Sequence, residues 1–134
     1  DMTPVESSVY DGKVRIISVV HSLDTGVCDA ETRRFNQEAS KLGEDTVVLT
    51  ISMDLPFAQS RWCAAAGIDR VVTLSDYRGG FGPAYGVLIK EIGLLTRAVF
   101  VVDRGGVVRY VQVVPELSHE PDYEAALDAA RKLV

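Results

Sequence analysis

Short apolar runs with helix-patterned segments between them constrain this chain more than any other feature. Residues 14–20 (VRIISVV), 46–52 (TVVLTIS) and 71–74 (VVTL) are rich in β-branched residues and short enough to be buried strands. Between the first two, residues 28–42 change period: Ala30, Phe35, Ala39 and Leu42 share one helical face, and Gly43 supplies a stop. Pro56 opens a second, shorter helix at the position proline prefers, and Gly67 ends it. Residues 98–102 and 107–114 are two strands across an Asp-Arg-Gly-Gly turn, a hairpin signal. Pro121 starts a last helix, with Tyr123, Leu127 and Ala130 on one stripe. Strands that alternate with helices and then pair as a hairpin predict an α/β fold with a mixed sheet and helices on both faces. Residues 76–86 are expected to be a loop.

The 134 residues suit one domain with a real core. The net charge of −5, with both signs interspersed, speaks against a nucleic-acid partner, which needs a basic patch. No apolar stretch reaches membrane-spanning length, so no membrane partner is expected. The chain opens Asp1-Met2-Thr3 and shows no signal peptide.

Cys28 and Cys63 are too few for a disulfide scaffold and, 35 positions apart, do not form a Cys-x-x-Cys pair. With His21 and His119 they match no compact zinc-ligand spacing. Cys28 stands where a buried strand has ended and a helix begins. Unpaired amides at a helix start favour a thiolate, the nucleophilic form of cysteine. By position alone, a small buried core residue is the favoured reading of Cys28. Thr25, three residues earlier, reads as a helix cap or as a hydroxyl folded back toward the sulfur. Cys63 alone reads as a core cysteine. Arg78 follows the third strand at its carboxyl end, where sites in parallel sheets gather; there it reads as a surface ion pair or as a guanidinium that holds an anion.

Taken together these segments resemble the bacterial thiol peroxidases, the atypical two-cysteine peroxiredoxins. SLDTGVC at 22–28 followed by RRFN at 33–36 is similar to their active-site segment. DLPFAQ at 54–59 with RWC at 61–63 is similar to the resolving-cysteine helix. VTLSDYR at 72–78 and AYGV at 84–87 resemble an arginine loop, and LLTRAVFVVD at 94–103 the strand before the hairpin. Pro115-Glu116 and EPDY at 120–123 resemble the tail. The match runs in order from about Gly12 to the end.

The resemblance implies a thioredoxin-like fold and a peroxidase acting on hydrogen peroxide and small alkyl hydroperoxides. Cys28, assisted by Thr25 and Arg78, would become a sulfenic acid, and Cys63 of the same chain would condense with it. A thioredoxin-type protein would reduce the disulfide. The resemblance implies no metal or organic cofactor, a homodimer, and a bacterial cytoplasmic location. The competing readings are a catalytically impaired redox-sensing or binding module and a thiol–disulfide oxidoreductase acting on proteins.

Two departures stand out. His21 occupies the place of a proline that shields the family cysteine from water. The family also carries an N-terminal hairpin and a further strand ahead of the point where this chain starts. A single domain over residues 1–134 lacking that region is therefore expected, with an exposed edge prone to self-association.

Overall fold

A computed structural model describes residues 4–114 and 118–134; Pro115 and Glu116 of the tail resemblance lie outside the described residues. A five-stranded mixed sheet runs in the order β3-β2-β1-β6-β7. Its strands are β1 (Val14–Val19), β2 (Thr46–Ser52), β3 (Val72–Ser75), β6 (Arg97–Val102) and β7 (Val108–Val114). The first three are parallel, whereas β6 is antiparallel to both β1 and β7. This is the mixed sheet that the order of elements predicted.

The helices are α1 (Gly26–Ala39), α2 (Pro56–Ala66), α3 (Phe81–Tyr85) and α4 (Tyr123–Arg131). Helix α1 begins two residues before the expected start, so that Cys28 lies inside its first turn. Helix α4 starts after Pro121 because the Asp122 carboxylate caps it, accepting from the Ala125 amide at 3.1 Å. The expected loop at 76–86 contains α3. Two short paired strands, β4 (Leu88–Ile89) and β5 (Leu94–Leu95), follow it.

Strand parity sorts the core into two layers. Val14 and Ile16 of β1, Val48 of β2, and Val99 and Val101 of β6 face α1 and α4, where they meet Phe35, Ala126, Leu127 and Ala130. Phe35 stands edge-on to Tyr123, with ring centroids 5.3 Å apart. Ile17, Val19, Leu49, Ile51, Ala98, Phe100 and Val102 point the other way, toward Val87 and Leu95 beyond α3. Each fully buried aliphatic or aromatic side chain contributes about 1.5–3 kcal/mol. Helix α2 is different. Gln59 is its one buried residue, held by bonds from Nε2 to the Ser52 hydroxyl (3.1 Å) and the Leu74 carbonyl (2.8 Å).

Candidate active site

The site forms where β1 ends. Thr25 is the N-cap of α1, and the first intrahelical bond runs from the Asp29 amide to the Thr25 carbonyl at 2.8 Å. The amides of Gly26, Val27 and Cys28 precede it and belong to the first turn. Cys28 is wholly buried, packed with Val20 and Leu23 and covered by Trp62 of α2.

Arg97 meets it from the sheet. In the antiparallel register of β1 and β6, Val19 pairs with Ala98. The next pair in that register is Val20 and Arg97. By parity Arg97 points to the side of Val99 and Val101, the face that carries α1. Its side chain has no solvent exposure. Nη1 donates to Glu31 Oε1 at 2.7 Å, while the Ser18 hydroxyl donates to Oε2. The ion pair with Arg97 favours the carboxylate form of Glu31. Burial pushes the Glu31 carboxyl up, and the bonds from Ser18 and Arg97 pull against it. Burial also works against the Arg97 charge. The bond to Glu31, the charge on Cys28 and a hydrogen bond to Cys28 outweigh it and raise Arg97 above its ordinary value. Arg97 thus joins the sulfur to a buried carboxylate.

His21 is 9% exposed and lies against the same sulfur. Cys28 Sγ is 3.5 Å from Nδ1 and 3.6 Å from Nε2, so the ring covers the sulfur broadside. Burial, and then the Arg97 charge, push the His21 pKa below its usual value, with Asp54 pulling the other way. The imidazolium that would add a positive charge beside Cys28 is therefore disfavoured. Asp54 fixes the loop beneath: it accepts from the Ser22 hydroxyl and the Leu23 amide, both at 2.8 Å, and from the Ser52 hydroxyl at 2.9 Å.

Thr25 holds the N-cap position, yet its side chain makes no cap bond. Its hydroxyl donates to the Ser22 carbonyl at 2.8 Å and lies 3.4 Å from His21 Nε2. Among the described residues it meets Cys28 through the His21 ring.

Cys63 is half-buried on α2, and both thiols are free. The Cys63 thiol faces β3, 3.9 Å from the Thr73 hydroxyl. Burial raises its pKa, partly offset by Thr73, so Cys63 is held as the neutral thiol. The neighbouring Trp62 is what α2 turns toward Cys28, with its indole donating to Asp29 Oδ2 at 3.1 Å.

The structure does not bring Arg78 to Cys28. Arg78 is exposed, with Nε donating to the Tyr77 hydroxyl at 2.7 Å and the guanidinium 5.4 Å from the centre of that ring. It borders a cleft of about 630 Å³ with Arg15, Ile17, Leu49 and Ile51, on the sheet face away from Cys28. The cause is topological. β3 is an edge strand two places from β1, roughly 10 Å across the sheet. Arg97, Glu31, Asp54 and Trp62 carry no role in the sequence reading. A visible signal for Arg97 was a charge opening an otherwise apolar strand, RAVFVV.

The comparisons agree with this architecture. The Redoxin family model matches residues 1–127. A "Thiol peroxidase" of Bacillus subtilis (strain 168) is 60% identical over 132 residues, 96% of this chain and 78% of that protein. One from Listeria monocytogenes serotype 4b is 59% identical over 133 residues, 98% of this chain and 80% of that protein. Among solved structures, a peroxiredoxin-like protein from Aquifex aeolicus superposes with a TM-score of 0.87 at 42% identity, covering 92% of this chain and 74% of that one. The chain belongs to the Redoxin family and carries the peroxiredoxin form of the thioredoxin-like fold.

Proposed function

We propose that this chain is a thiol-dependent peroxidase in which Cys28 is the residue oxidised. The observation that carries this is the fully buried Arg97 guanidinium beside the fully buried Cys28, backed by the Glu31 carboxylate. Such a cation stabilises a thiolate and also the oxygen on which charge develops as a peroxide bond breaks. The thiolate attacks one peroxide oxygen, the O–O bond breaks, and the sulfur becomes a sulfenic acid while water or an alcohol leaves. A peroxide is the substrate, in keeping with the name of the relatives; hydrogen peroxide and small alkyl hydroperoxides are the class proposed.

Cys63 then condenses with the sulfenic acid and releases water, forming an intrachain disulfide. Because Cys63 faces Thr73 in the thiol form, α2 has to rearrange first. A helix with one buried side chain, held besides by Trp62, is suited to that, since sparse packing lowers the cost of local opening. A thioredoxin-type protein reduces the disulfide. The active chain acts as a homodimer in the bacterial cytoplasm.

The test is stopped-flow oxidation of the reduced protein by hydrogen peroxide, beside Cys28→Ser and Cys63→Ser. Fast oxidation lost only with Cys28→Ser, together with a trappable sulfenic acid in Cys63→Ser, supports the assignment. Oxidation no faster than that of a free thiol, in folded protein, rejects it.

A further inference from the structure

The peroxidase step needs a place for the Cys28 proton, and the contacts of His21 supply one. The Thr25 hydroxyl gives its hydrogen to the Ser22 carbonyl at 2.8 Å, so its oxygen offers a lone pair toward His21 Nε2, 3.4 Å away. A ring nitrogen that faces a lone pair carries the hydrogen. Nε2 is then the N–H, and Nδ1 keeps its own lone pair, 3.5 Å from Cys28 Sγ. The ring covers the sulfur, and the broad torsion about the imidazole bond lets it turn Nδ1 onto the thiol.

We propose that His21 is a catalytic residue of this chain: Nδ1 takes the Cys28 thiol proton and returns it to the oxygen that leaves the peroxide. The inference rests on the peroxidase reading above. The steps balance. Proton transfer yields a thiolate and an imidazolium. The thiolate forms an S–O bond to the terminal peroxide oxygen as the O–O bond breaks. Sulfur loses two electrons, which the departing oxygen gains. That oxygen takes the proton from Nδ1, leaving a sulfenic acid, an alcohol or water, and neutral His21.

The charged surroundings suit both halves of the cycle. Arg97 faces the ring from β6, Asp54 from the loop after β2, and Cys28 and Glu31 lie on α1. Burial and Arg97 keep the imidazole neutral at neutral pH, ready to accept, and make the imidazolium a willing donor once formed. Thr25 acts through the ring as a positioning residue by fixing the tautomer.

The test is the pH dependence of Cys28 oxidation by hydrogen peroxide in the parent protein and in His21→Asn, which keeps a polar side chain but no base. The parent rate is expected to fall as the pH drops through a value below that of an ordinary histidine. His21→Asn should lose that limb and react on the order of 100-fold more slowly at neutral pH. An unchanged rate and profile in folded His21→Asn overturns the proposal and leaves the peroxidase reading standing. A second measurement needs neither peroxide nor the variant: nitrogen-15 resonances of the His21 ring in the reduced protein. An unprotonated Nδ1 whose titration shifts in Cys28→Ser supports the pair. A hydrogen on Nδ1 at neutral pH, or a titration indifferent to Cys28→Ser, overturns it. Slow oxidation of the folded parent protein would instead reject the peroxidase reading itself.

Discussion

Arg97 Nη1 lies 2.7 Å from Glu31 Oε1, and neither side chain has any exposure to solvent. One residue comes from the start of β6 and the other from α1, so the pair locks the helix that carries Cys28 onto the sheet. Removing one partner strands the other as a buried charge. Arg97→Met is expected to lower unfolding stability by about 3–5 kcal/mol and to slow oxidation by about 10²-fold. The double substitution Arg97→Met with Glu31→Leu should recover much of the stability and none of the rate. Urea unfolding beside stopped-flow oxidation separates the two effects.

Arg78 gives the opposite expectation. It is exposed and engaged with Tyr77 on the other face of the sheet. Arg78→Ala should leave the Cys28 oxidation rate within about twofold, because an exposed charge at that range is screened. Stability should stay within about 0.5 kcal/mol. A loss of rate comparable to that of Arg97→Met would instead support Arg78 as the residue that assists Cys28.

Trp62 is the sole tryptophan, and its ring packs on Cys28 from α2. The proposed Cys28–Cys63 disulfide would move that helix, since Cys63 faces Thr73 in the thiol form. Peroxide should therefore change the tryptophan fluorescence in two phases, the slower one following disulfide formation. Cys63→Ser should retain the first phase and lose the second. Stopped-flow fluorescence of both proteins checks this.

Asp103 closes the β6–β7 hairpin. Its Oδ1 accepts from the amides of Gly105 (3.0 Å) and Val107 (2.9 Å), and Oδ2 from Arg109 Nε at 2.7 Å. The Val107 amide, followed by Arg109, holds its carboxyl below the usual aspartate range. A depressed carboxyl contributes stability above its unfolded value, and that contribution is lost as the pH falls through the folded one. Asp103→Asn should lower the Tm at pH 7, with the gap closing as the pH drops below about 3.9. Thermal unfolding across that range measures it.

Local chemistry was legible from residues in order along the chain. The β-branched runs, Pro56, Gly67 and the Asp-Arg-Gly-Gly turn act within a few residues of themselves, and the strands, α2 and the hairpin lie where they indicate. Cys28 at a strand-to-helix junction belongs to the same class of signal. Helix α3 escaped because its five residues are too few to show a period and sit among glycines and aromatics.

The kind of fold and the place of Cys28 at the start of α1 were legible along the chain, because both depend on periodicity and on near neighbours. Which arginine lies beside that cysteine is a matter of tertiary structure. Arg78 and Arg97 both stand beside apolar strands, and the charge that opens RAVFVV marks Arg97 as unusual without saying what it reaches. The antiparallel pairing of β6 with β1 brings Arg97 beside Val20, and side-chain alternation turns it toward α1. The Arg97–Glu31 pair beside Cys28 depends on strand order and register, which bring together residues that are remote along the chain. The turn of His21 over the sulfur and of Cys63 toward Thr73 is set over a shorter span, by how each side chain packs.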